Sequence, residues 1–500
     1  MLKNIVISVL ALCLTISLAL HLVKQRGGDV PTPPVESSSP EKGGSPVTDL
    51  LPKDPPKPER DPKLVAFDDV FKGGSNVEGL KGAAIGFCLI GPAGETLYEY
   101  NADTAQIPAS SLKTLTTATA LEVLGPDFRF KTRLGVSAAN EAEGAGVKGD
   151  LILVGGGDPM LSMTDLETWA KGLAEAGVKS IPGRVIGDGR FFPGSPFADF
   201  WNWGDIGNGY GSPVSGLNLE HNRFKAVLIP GEKENEAAIL AQIVPEVPGV
   251  SWMNESLTGP EGSGDGIVIH GGERAAVMHL RGTVPPGEEM VVTGAAPDPE
   301  RFAAHHLRLA LVAAGIEVTG EAFGAGDLWL EGEIVPEISS ELLVHQSPPL
   351  LDIVTSIHAT SDNHETECLY RMLGVQTGLP PDEAIRQHWK ERGLDLTGLR
   401  MVDGSGLARA DHITPKGLAL LQHFAAGGPE GEAYVGSLLA TPDEVLRFKA
   451  GAMSAVRSYT GFVKIASGER LSYALIVNHY SESAAVQELQ QNVFSLMAAW

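Results

Sequence analysis

The stretch Pro108-Ala109-Ser110-Ser111-Leu112-Lys113 guides the interpretation of the whole chain. A serine hydroxyl is a weak nucleophile at neutral pH. A lysine three residues later on the same helical face can accept its proton if burial lowers the pKa of the amine. Apolar residues recur at every third position until Gly125-Pro126, which predicts that Ser110 lies at a helix N-terminus. A Ser-x-x-Lys tetrad also arises by chance, as at Ser39-Pro40-Glu41-Lys42, so other motifs must choose between the copies.

The first 26 residues have the composition of an export signal. Lys3 precedes an apolar run from Ile5 to Leu20, long enough for a signal peptide or one membrane-spanning helix. No Ala-x-Ala-like cleavage site follows, which favours an uncleaved anchor. Residues 27–63 are rich in Pro, Ser, Gly and charge, as is typical of a disordered linker. We therefore expect an exported protein of the periplasm or cell envelope, tethered to the membrane if the anchor stays uncleaved.

The overall composition is that of a globular protein and limits its partners. Apolar residues make up 43% of the 500 residues, enough to fill sizeable cores. The net charge is -24, from 62 acidic and 38 basic residues. Such an acidic chain is not expected to bind nucleic acid or an anionic lipid surface as its main partner.

Segment patterns divide the rest of the chain into three parts. Ala83 to Ile90 and Thr96 to Tyr100 predict two strands joined by a turn, and with the Ser110 helix they form the first part of a mixed α/β catalytic domain at residues 64–128. Short apolar strands and two amphipathic helices, at roughly 163–176 and 299–314, predict an inserted β-rich region at 129–340 with an inner nested domain at about 215–292. Helical periodicity then returns, so residues 341–500 are predicted to complete the catalytic domain.

Two later motifs supply groups that acyl transfer by a serine needs. Ser361-Asp362-Asn363 offers a hydroxyl that can relay a proton and an amide that can both donate to a substrate and accept from a lysine. Lys449-Ala450-Gly451 offers a fixed cation for a peptide with a free carboxylate, and its small residues let a strand backbone lie against the substrate. Each motif alone is more typical of a loop or a solvated side chain. Only their joint order and spacing are specific.

Together the motifs resemble one family. The trio is similar to that of penicillin-binding proteins and class A β-lactamases. Ser361 follows Ser110 by 251 residues, far more than in β-lactamases. The chain therefore resembles the class C low-molecular-weight penicillin-binding proteins, the D-alanyl-D-alanine carboxypeptidase/endopeptidase family of serine peptidases. Three further runs are similar to that family: Gly149-Asp150-Leu151 to Gly157-Asp158-Pro159, Ser347-Pro348-Pro349-Leu350 and Asp403-Gly404-Ser405-Gly406-Leu407.

The resemblance implies a fold and a set of roles. The fold would be an α/β (α+β) transpeptidase domain like that of penicillin-binding proteins and β-lactamases, an antiparallel sheet flanked by helices, with inserted β-rich domains. Ser110 would attack a peptidoglycan stem peptide ending in D-Ala-D-Ala, Lys113 would take its proton, and Ser361 would relay a proton to the leaving amine. Asn363 would orient lysine and substrate, and Lys449 would supply positive charge. β-Lactams would be covalent inhibitors, and no cofactor is implied.

The third motif departs from the family's Lys-Thr-Gly-Thr. Alanine stands at both hydroxyl positions, Ala450 and Ala452, on either side of Gly451. In the family those threonines bind the substrate's terminal carboxylate. One lost hydrogen bond to a charged group costs about 1.5 to 3 kcal/mol, or about ten- to a hundredfold in rate. Two alternatives therefore stay open: mainly a D,D-endopeptidase that cleaves cross-links, or a non-catalytic peptidoglycan-binding protein.

Two assignments depend on the family's spacing. Tyr459-Thr460-Gly461 is a rival third motif, but it stands too close to the strand that starts at Glu469-Arg470-Leu471, so Lys449 is preferred. Asp188 follows the strand Val185-Ile186 where the family has an aspartate at the active-site rim. We therefore expect Asp188 to contact the substrate.

Histidine and cysteine patterns complete the sequence reading. His364-Glu365-Thr366-Glu367-Cys368 approaches a helical zinc motif, but cysteine replaces the second histidine, so no metal site is predicted. Cys88 and Cys368 either form a disulfide or remain two buried thiols, and the sequence leaves both possibilities open.

Overall fold

The computed structural model describes residues 60–137 and 149–500. The predicted export segment 1–26 lies outside these residues, as does nearly all of the predicted linker 27–63. Within the described part of the chain, no helix is long and apolar enough to cross a membrane.

The strands and helices are numbered here in chain order. The strands are β1 (Ala84–Ile90), β2 (Thr96–Tyr100), β3 (Lys131–Ser137), β4 (Leu151–Val154), β5 (Ser180–Ile181), β6 (Val185–Asp188), β7 (Arg223–Ile229), β8 (Ile239–Val244), β9 (Ser251–Thr258), β10 (Val268–His270), β11 (Val277–Val284), β12 (Met290–Ala295), β13 (Glu317–Val318), β14 (Ala322–Gly324), β15 (Ile338–Gln346), β16 (Leu439–Ala440), β17 (Leu446–Met453), β18 (Val456–Lys464) and β19 (Arg470–Asn478). The α-helices are α1 (Pro62–Gly74), α2 (Lys113–Leu124), α3 (Met163–Glu175), α4 (Pro299–Ala313), α5 (Ala325–Leu330), α6 (Leu350–Thr360), α7 (Asn363–Thr377), α8 (Pro381–Glu391), α9 (Pro415–Ala426), α10 (Gly431–Ser437) and α11 (Ser483–Ala498).

The catalytic domain is built on a six-stranded antiparallel sheet with the order β16-β17-β18-β19-β1-β2. Helices cover both faces. Phe87 and Leu89 of β1 pack on the side of α1 and α11, whereas Cys88 and Ile90 pack on the side of α2, α7 and α9. A strand covered on both faces needs apolar residues at nearly every position, which is why β1 shows no polar alternation. The predicted antiparallel sheet flanked by helices is confirmed.

The inserted region contains three larger sheets and one short strand pair. The outer sheet is mixed and has the order β14-β6-β4-β3-β15, and α3 and α4 share its core. The two inner three-stranded sheets, β12-β7-β8 and β10-β11-β9, run from Arg223 to Ala295. Because β15 pairs with β3 from Ile338 to Gln346, the predicted boundary at residue 340 falls inside a strand of the inserted region. The sequence pattern missed β15 because most of its residues are partly or fully exposed.

Candidate active site

Ser110 lies in a single 3-10 turn, Ala109–Leu112, which continues directly into α2. The Lys113 Nζ donates to the Ser110 Oγ at 3.0 Å, so the two side chains share a face as the sequence predicts. The first nine residues of α2 are all buried. Its threonines tolerate burial because their hydroxyls bond to helix carbonyls, as Thr117 does to Lys113 at 2.9 Å. The serine is therefore presented by a helix that is packed on all sides.

Lys113 is fully buried between three hydrogen-bond partners. Besides Ser110, its Nζ donates to the Asn363 Oδ1 at 2.6 Å and to the Ser405 carbonyl at 2.7 Å. The latter two oxygens can only accept, whereas the serine hydroxyl can also donate. A neutral amine in this position keeps its two N–H groups for those oxygens and directs its lone pair at Ser110. Burial lowers the pKa of Lys113 to about 8 despite neighbouring carboxylates, so the neutral form is accessible near neutral pH.

The Ser361-Asp362-Asn363 motif lies at the junction of two helices. The helical periodicity of this part of the chain is interrupted here, because Ser361 has a left-handed backbone (φ 61°) that ends α6. Asp362 then caps α7 by accepting from the Glu365 N–H at 3.0 Å. The sharp turn places Asn363 beside Lys113 and Ser361 beside Lys449. In the sequence, Ser361 and Asn363 lie 248 and 250 positions after Lys113.

Lys449 extends from β17 toward the Ser361 turn. Its Nζ donates to the Ser361 Oγ at 2.8 Å and to the Ala450 carbonyl at 2.9 Å. Burial, together with the nearby charge of Lys113, holds the pKa of Lys449 well below its usual range. The rival Thr460 is buried inside the sheet, where its hydroxyl donates to the Tyr473 carbonyl at 2.8 Å. The geometry thus joins Lys449, and not the Tyr459-Thr460-Gly461 segment, to the other motifs.

Strand β17 lies directly against the serine turn at Gly451. A Cβ at this position would be 2.7 Å from the Pro108 carbonyl oxygen and 2.8 Å from the Ser110 backbone nitrogen. Only glycine permits this approach without a shift of backbone. Since β16 pairs with only two residues of β17, at 447 and 448, residues 449–453 form a sheet edge among the described residues. Ala450 is partly buried on this edge and Ala452 is exposed.

The chain and its fold match known proteins. Residues 75–499 match the D-Ala-D-Ala carboxypeptidase 3 (S13) family. The chain belongs to this family. The D-alanyl-D-alanine carboxypeptidase of Actinomadura sp. (strain R39) is 30% identical over 447 residues, which cover 82% of this chain and 80% of that protein. The D-alanyl-D-alanine carboxypeptidase DacB of Haemophilus influenzae is 25% identical over 414 residues, which cover 77% and 83%.

A solved structure shares the fold. The crystal structure of penicillin binding protein 4 (dacB) from Haemophilus influenzae superposes with a TM-score of 0.73 at 20% identity, covering 84% of this chain and 97% of that chain. The family resemblance, the fold class and the prediction of a serine D-Ala-D-Ala carboxypeptidase are therefore confirmed. The alternative of a non-catalytic binding protein is not supported, because the family and the relatives of this chain are D-Ala-D-Ala carboxypeptidases.

Buried carboxyl groups lie around Lys113, and of these no role was predicted from the sequence for Glu367 or Asp411. The turn containing Asp403 is held by its own carboxylate, which accepts from the Gly406 and Ala408 N–H groups and from the Trp201 indole at 2.6 to 2.8 Å. Burial and the charge of Asp403 raise the pKa of Asp411 to about 10, so Asp411 is protonated at neutral pH. The Asp403-Gly404-Ser405-Gly406 motif was the one sequence signal for this arrangement.

Asp188 is not part of the cluster formed by the other predicted residues. It ends β6, is buried, and forms a bidentate ion pair with Arg190 at 2.8 and 2.9 Å. Within the described residues, no hydrogen bond or ion pair joins it to Ser110, Lys113 or Lys449. Its expected contact with substrate stays a prediction.

The histidine and cysteine side chains have other partners. His364 is buried next to the Asn218 Oδ1 at 3.2 Å, and Glu367 accepts from the Gly404 and Ser405 N–H groups. The His364 Nδ1 lies 4.0 Å from the Cys368 Sγ, whereas the Glu367 carboxylate is directed at the Gly404-Ser405 backbone. Cys88 and Cys368 are separate buried thiols, which decides between the two possibilities left open by the sequence.

Proposed function

We propose that Ser110 is the nucleophile of this carboxypeptidase and that Lys113 is its general base. The observation that carries the proposal is the three-way contact of Lys113 with Ser110, Asn363 and the Ser405 carbonyl. The lone pair of the neutral amine takes the hydroxyl proton as Oγ attacks the carbonyl carbon of the penultimate D-Ala of a stem peptide. The Ser110 backbone N–H, in the 3-10 turn that leads into α2, stabilises the oxyanion that forms.

The remaining groups complete the reaction. Ser361 relays a proton to the nitrogen of the terminal D-Ala, which leaves with its carboxylate, while Asn363 orients Lys113 and the substrate. Lys449 supports this step because its Nζ bonds to the Ser361 hydroxyl, and the arriving carboxylate of the substrate favours the charged form of the lysine. Water then hydrolyses the acyl-enzyme, and Ser110 regains its proton. A β-lactam forms the same ester with Ser110 when its ring opens.

The substrate backbone binds along the edge of β17. Among the described residues no strand pairs with 449–453 on the side away from β18, so an extended peptide can add there as a further strand. Ala450 and Gly451 leave room for it, and Ala452 is exposed next to them. The enzyme works outside the cytoplasm, in the periplasm or cell envelope, and residues 1–26 tether it if they are retained. Asp188 belongs to the substrate rim in this proposal.

A second activity, as a D,D-endopeptidase, is favoured by the two alanines at 450 and 452. Without hydroxyls at these positions, a free terminal carboxylate is bound less tightly. A cross-linked peptide loses less binding energy, because its D-amino-acid bond lies within a longer chain. Comparing kcat/KM for a linear stem peptide with that for a cross-linked dimer separates the two activities. A higher value for the dimer would make the enzyme mainly an endopeptidase.

The proposal is tested by intact-mass measurement of the full-length chain with and without penicillin. We expect a gain of one penicilloyl group, which peptide mapping assigns to Ser110. The Ser110→Ala variant should gain no mass and should unfold at nearly the same temperature, because only one partly exposed hydroxyl is lost. An adduct that persists in this variant would disprove the nucleophile assignment.

A further inference from the structure

The inserted region contacts the catalytic domain at the Ser361-Asp362-Asn363 turn through Arg223, the first residue of β7. Two nitrogens of the guanidinium donate to the Asp362 carboxylate, Nη1 at 2.6 Å and Nη2 at 3.2 Å, and the third, Nε, donates to the Gly209 carbonyl at 2.6 Å. The ion pair is largely buried, with the Arg223 and Asp362 side chains 22% and 11% exposed. One planar group therefore sets the position of the Gly209 loop relative to the motif.

The residue after Gly209 determines how the Asn363 amide is oriented. The Tyr210 carbonyl accepts from the Asn363 Nδ2 at 2.8 Å, which leaves the Oδ1 as the atom that faces Lys113 at 2.6 Å. If the amide were reversed, its NH₂ would face the N–H groups of the ammonium form of Lys113, or would draw the lone pair of the neutral form away from Ser110. The acceptor that directs the Lys113 lone pair at Ser110 thus depends on a loop of the inserted region.

We propose that Arg223 is a positioning residue for the acylation reaction: it fixes the Gly209-Tyr210 loop, whose carbonyl orients the Asn363 amide toward Lys113. The inference rests on the proposed role of Lys113 as general base. It assigns a catalytic purpose to the inner inserted sheets, which begin with this arginine. Arg223 itself touches neither Ser110 nor Lys113 through any hydrogen bond of the described residues.

Neighbouring contacts hold α7 in the same place but do not orient the amide. The His221 Nε2 lies 3.0 Å from the Glu365 Oε1, and His364 lies between Asn218 and Asn222. His221, Asp362 and Glu365 lie close enough together to suggest a metal site, but the Arg223 guanidinium already neutralises Asp362. Removing Arg223 therefore affects the amide and the local charge, while the contacts of His221 and His364 remain.

The charge effect gives a readout that loss of folding would not produce. Without Arg223 the Asp362 carboxylate keeps only the weaker counter-charge of His221, so it favours the ammonium form of Lys113 more strongly. The pH above which Lys113 is neutral must then rise. The other charged or titratable groups that face Lys113 stay unchanged; they are Glu367 of α7, Asp403 and Asp411 of the turn, Lys449 of β17 and His358 of α6.

The experiment compares four full-length proteins: wild type, Arg223→Ala, Arg223→Lys and Arg184→Ala. Arg184 is a matched control because it also forms a partly buried ion pair in the inserted region, with Asp150 and Glu333, away from the motif. The rate of penicilloyl-Ser110 formation is measured from pH 6 to 10. We expect Arg223→Ala to be slower by about tenfold on the alkaline plateau, with its acidic limb displaced upward by about half a unit or more. Arg223→Lys should return the acidic limb of the pH–rate profile most of the way to its wild-type position but should not restore the plateau rate. Lysine keeps the positive charge but lacks the planar guanidinium that bonds to Asp362 and Gly209 together.

A second measurement does not need the reaction. The ε-¹³C resonance of Lys113, assigned by its loss in Lys113→Arg, is titrated in wild type and in Arg223→Ala. The midpoint should be higher in the variant. An unchanged midpoint with a wild-type acylation rate would overturn the inference, as would an equal displacement in Arg184→Ala. If wild type itself forms no adduct at Ser110, the proposed function fails, whereas the resonance still decides whether Arg223 acts on Lys113.

Discussion

Replacing Gly451 with alanine should separate acylation from folding. The added Cβ would lie 2.7 Å from the Pro108 carbonyl oxygen, 2.8 Å from the Ser110 nitrogen and 2.4 Å from the Ser458 Oγ. The Ser458 hydroxyl can rotate away, but the other two atoms belong to the backbone of the turn that carries Ser110. Non-bonded heavy atoms prefer about 3.5 to 4.0 Å, so the strand and the turn must separate by about 0.7 to 1.3 Å.

The size of the effect follows from this displacement. Overpacking of a buried site costs about 1 to 3 kcal/mol of folding stability. Misplacing a reacting group by about 1 Å costs about a hundredfold in rate, equivalent to about 2.7 kcal/mol. We therefore expect Gly451→Ala to remain folded at a lower melting temperature and to react with penicillin about a hundredfold more slowly.

The assay is the rate of penicilloyl-enzyme formation per folded molecule, with thermal unfolding measured on the same samples. Gly436 of α10 and Gly172 of α3 serve as matched controls, because a Cβ at either meets no atom within 4 Å. Alanine at these helical positions should stabilise the fold by about 0.4 to 1 kcal/mol and leave acylation unchanged. An acylation rate for Gly451→Ala within about twofold of wild type would refute the close contact of β17 with the serine turn.

Three further predictions follow. Acylation of the wild-type enzyme should rise with pH through about 8, because Lys113 must be neutral to take the proton and its pKa lies near that value; a rate that is flat from pH 6 to 10 would exclude it as the base. Ala450→Thr should raise carboxypeptidase turnover on a linear stem peptide by about tenfold if the hydroxyl reaches the terminal carboxylate, and no gain would place residue 450 away from that carboxylate. Cys88 and Cys368 should resist alkylation in the native protein, because burial raises the pKa of Cys88 to about 12 and that of Cys368 well above its usual range; peptide mapping that finds them disulfide-linked would contradict the structure.

Much of the fold was predictable where one short segment carries its own pattern. The limits of β1 and β2 agree with the sequence prediction to within a residue, because each is a short run between turn residues. Strands β9 and β11 were not predicted. In β9 the better buried positions include Asn254, Ser256 and Thr258, whereas Met253 and Leu257 are exposed, so the residue types do not mark a strand. The two strands pair in parallel with each other, and their stability comes from the partner strand and not from the local sequence.

The sequence by itself determined the chemistry of the protein. Ser110 and Lys113 are three residues apart on one turn, so their contact is local, and the order of the motifs around them identified the family. Only the tertiary structure decided how the groups are oriented. The Asn363 amide depends on Tyr210 and Arg223, and Gly451 meets Ser110 across more than 300 positions. Such contacts join segments far apart in the chain, and no local pattern encodes which atoms they bring together, because packing of the whole domain sets their distance and direction.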